Sequence, residues 1–265
     1  MSTSPHPAAP PGTRVLLLLR HGESTANARD LFGGWLDYPL TARGRTQASD
    51  AGRLIRAAGL TPAAAHTSLL TRAVDTAEAV LAEASSPAQT VSRSWRLNER
   101  HYGALQGRSR AAVRAEFGDD SFGRWRRSYE AVPPPIGDDD PTHPRRDPRY
   151  AEVPSDELPT TESLADVRKR LLPYWRNAIT TDVVAGRVTL VVAHGNSLRA
   201  LCMSLDDLSP EQVRSLHIPT GVPLRYDLDE ALVPQVPGGT YLDPSAAAAG
   251  IAESQGTAYA PRGDL

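Results

Sequence analysis

A chain of 265 residues is long enough to bury a substantial core, and accommodates one large α/β domain or two small ones, of which one is preferred. Its 29 basic against 31 acidic side chains leave a formal net charge of −2, so there is no general attraction to nucleic acid or acidic membranes, and any positive charge that matters must be local. Cys202 is the single cysteine, which excludes an internal disulfide and a cysteine-based zinc cluster and fits a reducing cytoplasm.

Residues 1–12 are rich in Pro, Ser and Ala, with neither an apolar signal core nor a basic flank, and read as a disordered N-terminal tail. The run Val15 to Leu19 is continuously apolar, too short to span a bilayer, and ends in a polar turn, as expected of a parallel strand buried on both faces. Thr41 can cap a helix that places Ala48, Ala51, Leu54, Ile55 and Ala58 on one face and stops at Gly59. Thr71 to Ala84 predicts a second helix with Val74, Ala77 and Leu81 inward.

Eight prolines and the triple Asp138-Asp139-Asp140 fall between Pro133 and Pro159, so residues 132–160 cannot form one regular element. Arg149, Tyr150 and Leu158 offer docking groups, and an ordered flap over the site is preferred to disorder. A third helix is expected to begin near Thr161, carrying Leu164, Val167, Leu171, Leu172 and Trp175, with a kink or break at Pro173. Val188 to Ala193 repeats the buried-strand pattern. Beyond Glu230 the composition turns to Ala, Gly and Pro, and residues 246–265 are expected to be a flexible tail. Strands alternating with helices predict a three-layer α/β/α fold with a mostly parallel central sheet over residues 13–245.

The two strands end alike, in His21-Gly22-Glu23-Ser24 and His194-Gly195-Asn196-Ser197. Ligands of open α/β sheets bind beyond the carboxyl ends of the strands, so both histidines would face one crevice if the strands are neighbours. A lone histidine there is more often structural, but two in matching contexts, one preceded by Arg20, point to chemistry. A neutral imidazole can attack phosphorus, and a covalent intermediate divides one hard transfer into two easier ones. The remaining needs are positive charge around the phosphoryl oxygens and a group to give and take a proton. Arg20, Arg72 and the pair Arg126-Arg127 can supply the first. Each taken alone reads as a solvated surface residue. Glu99, in a polar and aromatic block no amphipathic face explains, can supply the second; a plain loop ion pair with Arg100 is the alternative.

Four blocks carry a family resemblance: Arg20-His21-Gly22-Glu23-Ser24, Thr67-Ser68-x-x-x-Arg72-Ala73, Leu97-Asn98-Glu99-Arg100-His101-Tyr102-Gly103-Ala104-Leu105-Gln106-Gly107, and Ala193-His194-Gly195-Asn196-Ser197-Leu198-Arg199-Ala200. With Trp125-Arg126-Arg127 and the Ile218 to Leu224 segment, the chain resembles the 2,3-bisphosphoglycerate-dependent phosphoglycerate mutases of the histidine phosphatase superfamily, over roughly Arg14 to Gly256. The resemblance implies that His21 is phosphorylated, that Glu99 is proton donor and acceptor, and that His194 stabilises the transferring group, with Arg20 and Arg72 beside them. It implies a substrate pocket formed by Arg20, Ser24, Asn27, Gly33, Gly34, Arg72, Glu99, Tyr102, Arg110, Arg126, Arg127, Gly195 and Asn196. The implied reaction interconverts 3-phosphoglycerate and 2-phosphoglycerate in glycolysis and gluconeogenesis, primed by 2,3-bisphosphoglycerate, with no metal, by a cytoplasmic enzyme that in this family is often a dimer or tetramer.

Three positions depart from the family pattern. Gly33 stands where a threonine is usual, leaving only a backbone N–H to donate, and Arg110 replaces a lysine, a planar fork in place of a point charge. The end of the chain, Thr257 to Leu265, replaces a short lysine-containing tail. These departures keep open a phosphohistidine-dependent phosphatase of small phosphorylated metabolites. A non-catalytic phospholigand-binding protein is the alternative from another class. A metal hydrolase is disfavoured, since there is no His-Glu-x-x-His helix and no cysteine pair.

Overall fold

The computed structural model describes residues 12–86 and 91–256, so nearly all of the N-terminal tail expected from the sequence, and residues 257–265 of the C-terminal one, lie outside the described residues. In chain order the elements are β1 (Arg14–Arg20), α1 (Thr25–Ala28), α2 (Ala42–Ala57), β2 (Ala64–Thr67), α3 (Thr71–Glu83), β3 (Val91–Arg93), α4 (Arg110–Arg127), α5 (Leu164–Tyr174), α6 (Thr180–Val184), β4 (Thr189–Ala193), α7 (Gly195–Leu205), α8 (Pro210–Ser215), β5 (Leu224–Leu228), β6 (Thr240–Tyr241) and α9 (Pro244–Gly256). The strands form one sheet in the order β3-β2-β4-β1-β5-β6. β1, β2, β3 and β4 run parallel, while β5 is antiparallel to β1 and β6 to β5.

Alternation along β1 explains the three layers. Leu17 and Leu19 point to one face, where they meet Ala51 and Ile55 of α2 and Ala73, Ala77 and Val80 of α3. Leu16 and Leu18 point to the other, against Leu171 of α5, Val183 of α6 and Leu198 and Leu201 of α7. All four leucines are fully buried, each contributing about 1.5–3 kcal/mol relative to exposure.

The expected helices form with local differences. Thr41 caps α2 by accepting from Gly44 N, and Gly59, at φ +69°, lies just past its end. α5 starts at Leu164, because Ser163 and Asp166 form a reciprocal capping box. Pro173 lies within the last turn of α5, and the disturbance expected there appears immediately after it as a π-helical turn over Trp175–Ile179 before α6 resumes.

Two expectations need correction. Residues 246–256 belong to α9: the side chain of Asp243 accepts from Ala246 N, Ala247 is buried, and a run of alanines has the highest intrinsic helix propensity. Residues 132–160 are ordered but do not roof the cavity described below. They pack behind the Glu99 loop, with Tyr150 and Leu158 buried against Trp35 and the Pro134 carbonyl accepting from Ala104 N at 2.8 Å. Apolar anchors at Tyr150 and Leu158 draw this segment into a small core of its own. The cavity wall is left to α9.

Candidate active site

Since β1 and β4 are neighbours in register, with Arg20 opposite Ala193, their carboxyl ends deliver His21 and His194 side by side. The rings are 4.9 Å apart, centroid to centroid, and both are buried. The turn after β1 is close-packed. A Cβ on Gly22 would lie 2.2 Å from the Gly44 carbonyl oxygen, and one on Gly44 would lie 2.0 Å from the Glu23 carbonyl oxygen, so the start of α2 can approach the histidine loop only through glycines.

His21 Nδ1 is 2.6 Å from the Gly22 carbonyl oxygen. A carbonyl only accepts, so Nδ1 carries the proton and Nε2 keeps its lone pair. His194 Nε2 is bonded to Ser68 Oγ at 2.7 Å, while its Nδ1 is buried without a partner. Burial first, then the charges of Arg72 and Arg20, hold His21 well below the ordinary imidazole range; burial, Arg72 and His21 do the same for His194. Both rings are therefore neutral, and one presents a nucleophilic nitrogen.

Arg72 is buried at the start of α3, donating to Leu36 O at 3.0 Å and Gly34 O at 2.8 Å. Gly34, at φ +53°, thereby turns its carbonyl to an arginine, whereas the Gly33 carbonyl accepts from Leu36 N at 3.1 Å and a Cβ on Gly33 would meet Ala26 and Tyr38. Ser24 is buried as the cap of α1, and its N and Oγ both donate to Asn27 Oδ1.

Glu99 is fixed asymmetrically. Its Oε1 accepts from Arg100 N at 2.8 Å, Asn196 N at 3.1 Å and Asn196 Nδ2 at 2.9 Å, whereas a Cβ on Gly195 would lie 3.7 Å from both its Oε2 and Arg20 Nε. One carboxylate oxygen is thus anchored and the other faces Gly195 and Arg20 at the mouth of the crevice. The Glu99 carbonyl is held from behind by Trp35 Nε1 at 2.6 Å and Arg170 Nη2 at 2.9 Å. Arg170 is itself buried against Glu162, whose Oε2 accepts from His101 N.

Above this floor lies a cavity of about 760 Å³. Of the residues named from the sequence, Arg20, Asn27, Glu99, Tyr102, Arg110, Arg126, Arg127, Gly195 and Asn196 line it. His21, Ser24 and His194 are not in that lining but are chain neighbours of Arg20, Glu23 and Gly195, which are; Arg72, Gly33 and Gly34 are not in it either. The far wall is α9, which contributes Ala246, Ala249, Glu253 and Ser254. Arg110 pairs with Asp30 at 2.6 Å, and Arg127 donates to His217 Nδ1 at 3.2 Å. Burial, Arg110 and Arg127 pull Arg126 down to about 10.

Sequence reasoning assigned no role to Arg100 and Arg199. Arg100 is fully buried under the Tyr102 ring, 4.5 Å from its centroid, with Nε and Nη1 unpartnered. Arg199 is 5% exposed and also keeps an unpartnered Nε. The i, i+3 spacing of Asn196 and Arg199 on a helix was the available signal for Arg199; Arg100 has none beyond its place in the Glu99 block. Among the described residues no ion pair forms at Arg20, Arg100, Arg126, Arg127 or Arg199, so this cavity concentrates guanidinium charge that Glu99 and Asp30 offset only in part. Such a cavity suits a small polyanion, and a neutral imidazole next in the chain to Arg20 suits phosphoryl capture.

Among the described residues no group of three or more His, Cys, Asp or Glu is placed to hold a metal ion, and no helix is long and apolar enough to cross a membrane.

The model of the histidine phosphatase superfamily (branch 1) matches residues 16–142 and 138–230. The 2,3-bisphosphoglycerate-dependent phosphoglycerate mutase of Thermobifida fusca is 53% identical over 233 residues, covering 88% of this chain and 94% of that one. The enzyme of the same name from Streptomyces avermitilis is 53% identical over 236 residues, covering 89% and 93%. Among solved structures, the mycobacterial glucosyl-3-phosphoglycerate phosphatase in complex with VO3 aligns with a TM-score of 0.62 at 26% identity, over 80% of this chain and 92% of that one. The chain belongs to the histidine phosphatase superfamily and, within it, to the 2,3-bisphosphoglycerate-dependent phosphoglycerate mutases.

Proposed function

We propose that this enzyme interconverts 3-phosphoglycerate and 2-phosphoglycerate through a phosphohistidine on Nε2 of His21, primed by 2,3-bisphosphoglycerate. The observation that carries the reading is the hydrogen bond from His21 Nδ1 to the Gly22 carbonyl, which leaves Nε2 as the free nitrogen of a buried ring, next in the chain to Arg20 of the cavity lining.

In the phosphorylated enzyme the free hydroxyl of a bound phosphoglycerate attacks phosphorus. The P–N bond breaks, its electron pair returns to His21 Nε2, and the hydroxyl proton passes to Glu99 Oε2. The bisphosphate so formed turns over within the cavity and presents its other phosphoryl group. Nε2 then attacks, the P–O bond breaks, and Glu99 returns the proton to the leaving oxygen. Charge and atoms balance, and the enzyme regains its starting form. Arg20, Arg72 and His194 surround the transferring group. Arg110, Arg126 and Arg127 retain the distal phosphate and carboxylate while the intermediate turns. The positive charge a metal would supply in other phosphotransferases is met here by guanidiniums, so chelator should leave the rate unchanged. The substrates are small cytoplasmic metabolites of glycolysis and gluconeogenesis.

One other reading is hydrolysis of the phosphohistidine, which the likeness to a mycobacterial glucosyl-3-phosphoglycerate phosphatase favours. An assay with 3-phosphoglycerate, with and without 2,3-bisphosphoglycerate, separates the two. Fast primer-dependent formation of 2-phosphoglycerate with little free phosphate is the expected result. Stoichiometric release of phosphate would replace the mutase reading with the phosphatase one.

A further inference from the structure

The proton-transfer carboxylate depends on an amide that could, by itself, point either way. Asn196 Nδ2 lies 2.9 Å from Glu99 Oε1 and 2.9 Å from the Tyr102 hydroxyl, while its Oδ1 lies 2.9 Å from Arg199 Nη1. An asparagine amide is nearly symmetric in shape, and what distinguishes its two ends is only the chemistry of the partners. Glu99 is a pure acceptor and demands the NH2 group. Arg199 is a pure donor and demands the carbonyl. With the amide reversed, Oδ1 would face a carboxylate and Nδ2 a guanidinium, two repulsive contacts in a buried place.

Arg199 is built to hold that choice. It stands one helical turn after Asn196 on α7, and its other terminal nitrogen is pinned at 2.7 Å to the Val213 carbonyl in the last turn of α8. It has no carboxylate partner among the described residues, and burial together with Arg127 and Arg100 pulls its guanidinium down to about 9. A buried cation without a counter-ion is costly; Arg199 lines the cavity, and the side chain of the site that it holds is Asn196. From these contacts the geometry points to Arg199 as a positioning residue: by fixing the Asn196 amide it keeps Glu99 Oε1 saturated and Oε2 aimed at the reacting oxygen.

This inference rests on the proton-shuttle role given to Glu99 above. Its test is a double-mutant cycle on the full-length enzyme, with 3-phosphoglycerate as substrate and 2,3-bisphosphoglycerate as primer, reading kcat and KM separately. Arg199→Met is expected to lower kcat about 10- to 100-fold, the worth of one charge-assisted hydrogen bond, with KM changed by less than about threefold. Asn196→Ala should lower kcat as well, and the double variant should be no slower than Asn196→Ala alone, because Arg199 acts through Asn196. Arg199→Lys, which keeps a donor for Oδ1, should recover most of kcat and guards against a methionine variant that fails to fold. The idea is overturned if the two losses multiply, if Arg199→Met raises KM alone, as an anion-binding arginine would, or if the lysine variant is as slow as the methionine one. A wild type that turns over no 3-phosphoglycerate would instead remove the mutase reading, and is recognised before any variant is compared.

Discussion

His21 and His194 face each other across the ends of two neighbouring parallel strands, their ring planes inclined at 59°, and among the described residues no carboxylate pairs with either ring. Most paired histidines gain a proton from an acidic neighbour; these two are kept neutral by burial and by Arg72 and Arg20. The pair therefore costs the fold something at low pH and keeps the nucleophile available at neutral pH.

The sign of that cost follows from linkage. An unfolded imidazole takes up a proton as pH falls through about 6.5, whereas the folded His21 and His194 remain neutral to well below that value. The unfolded state thus binds more protons, and the stability contributed by these groups is full above about pH 6.5 and lost as pH falls toward their folded values. His101, pushed down to about 3 chiefly by burial and Arg170, and His217, pushed down to about 4 by burial and Arg127, act in the same direction. The urea midpoint should be lower at pH 5.5 than at pH 7.5, and side-chain NMR signals of His21 and His194 should not titrate between those pH values. A His21 signal titrating near 6.5 would contradict the environment described.

Glu99→Gln keeps an acceptor for the three donors on Oε1 but cannot exchange a proton at the other end. The expected loss in kcat is about 10²- to 10⁴-fold, with 2,3-bisphosphoglycerate still bound at near wild-type affinity by calorimetry. Equal losses in affinity and kcat would show that Glu99 serves binding alone.

The histidines were legible in the sequence because their strands are: Leu16 to Leu19 and Leu190 to Ala193 are apolar without interruption, as a strand buried on both faces requires, and the first runs into Arg20-His21-Gly22 while the second is followed at once by His194-Gly195. β3 and β6 were not, at three and two residues, since neither is long enough to show a period. The backing of Glu99 was illegible for a different reason. Trp35 and Arg170 reach its carbonyl from 64 and 71 residues away, and no local pattern encodes such a meeting. For α9 the error lay in reading Ala-rich composition as looseness. Alanine is the best helix former, and Leu242 and Ala247 give that end of the chain something to bury.

The Glu162–Arg170 pair, at 2.6 Å and almost wholly buried, offers a test of that backing. Arg170→Met would strand the Glu162 carboxylate without its cation and remove the donor to Glu99 O, destabilising the fold by about 3–5 kcal/mol. Pairing it with Glu162→Leu should return part of the stability but not the activity, since the Glu99 carbonyl would keep only its bond from Trp35 and His101 N would lack its acceptor. Denaturant unfolding and turnover measured on the same samples separate the two effects. A double variant with full activity would show that the Glu99 loop needs no such support.

Gly44→Ala places a methyl group 2.0 Å from the Glu23 carbonyl oxygen, a backbone atom that no rotamer change can move. α2 must then shift away from the turn that carries His21. The overpacking should cost about 1–3 kcal/mol and slow phosphorylation of His21 by labelled bisphosphate. Unchanged labelling would mean that the histidine loop is held without the start of α2.

α9 closes the cavity wall through a contact that contributes little to folding. Arg43 is clasped between Glu23 at 3.2 Å and both oxygens of Glu253 at 3.1 and 2.9 Å, which ties α9 to the start of α2 and to the turn after His21. Arg43 and Glu253 are each more than half exposed, so the pair should be worth about 0.2–1 kcal/mol and Glu253→Ala should shift Tm by no more than about 2–4 °C. Its effect on chemistry is expected to be larger than its effect on stability, because the bisphosphate must stay enclosed while it turns. Loosening α9 should raise the ratio of free phosphate released to 2-phosphoglycerate formed, and high salt should raise the same ratio in the wild type by screening the pair. If Glu253→Ala leaves that ratio unchanged at low and high salt, α9 is a wall of the cavity but plays no part in retaining the intermediate.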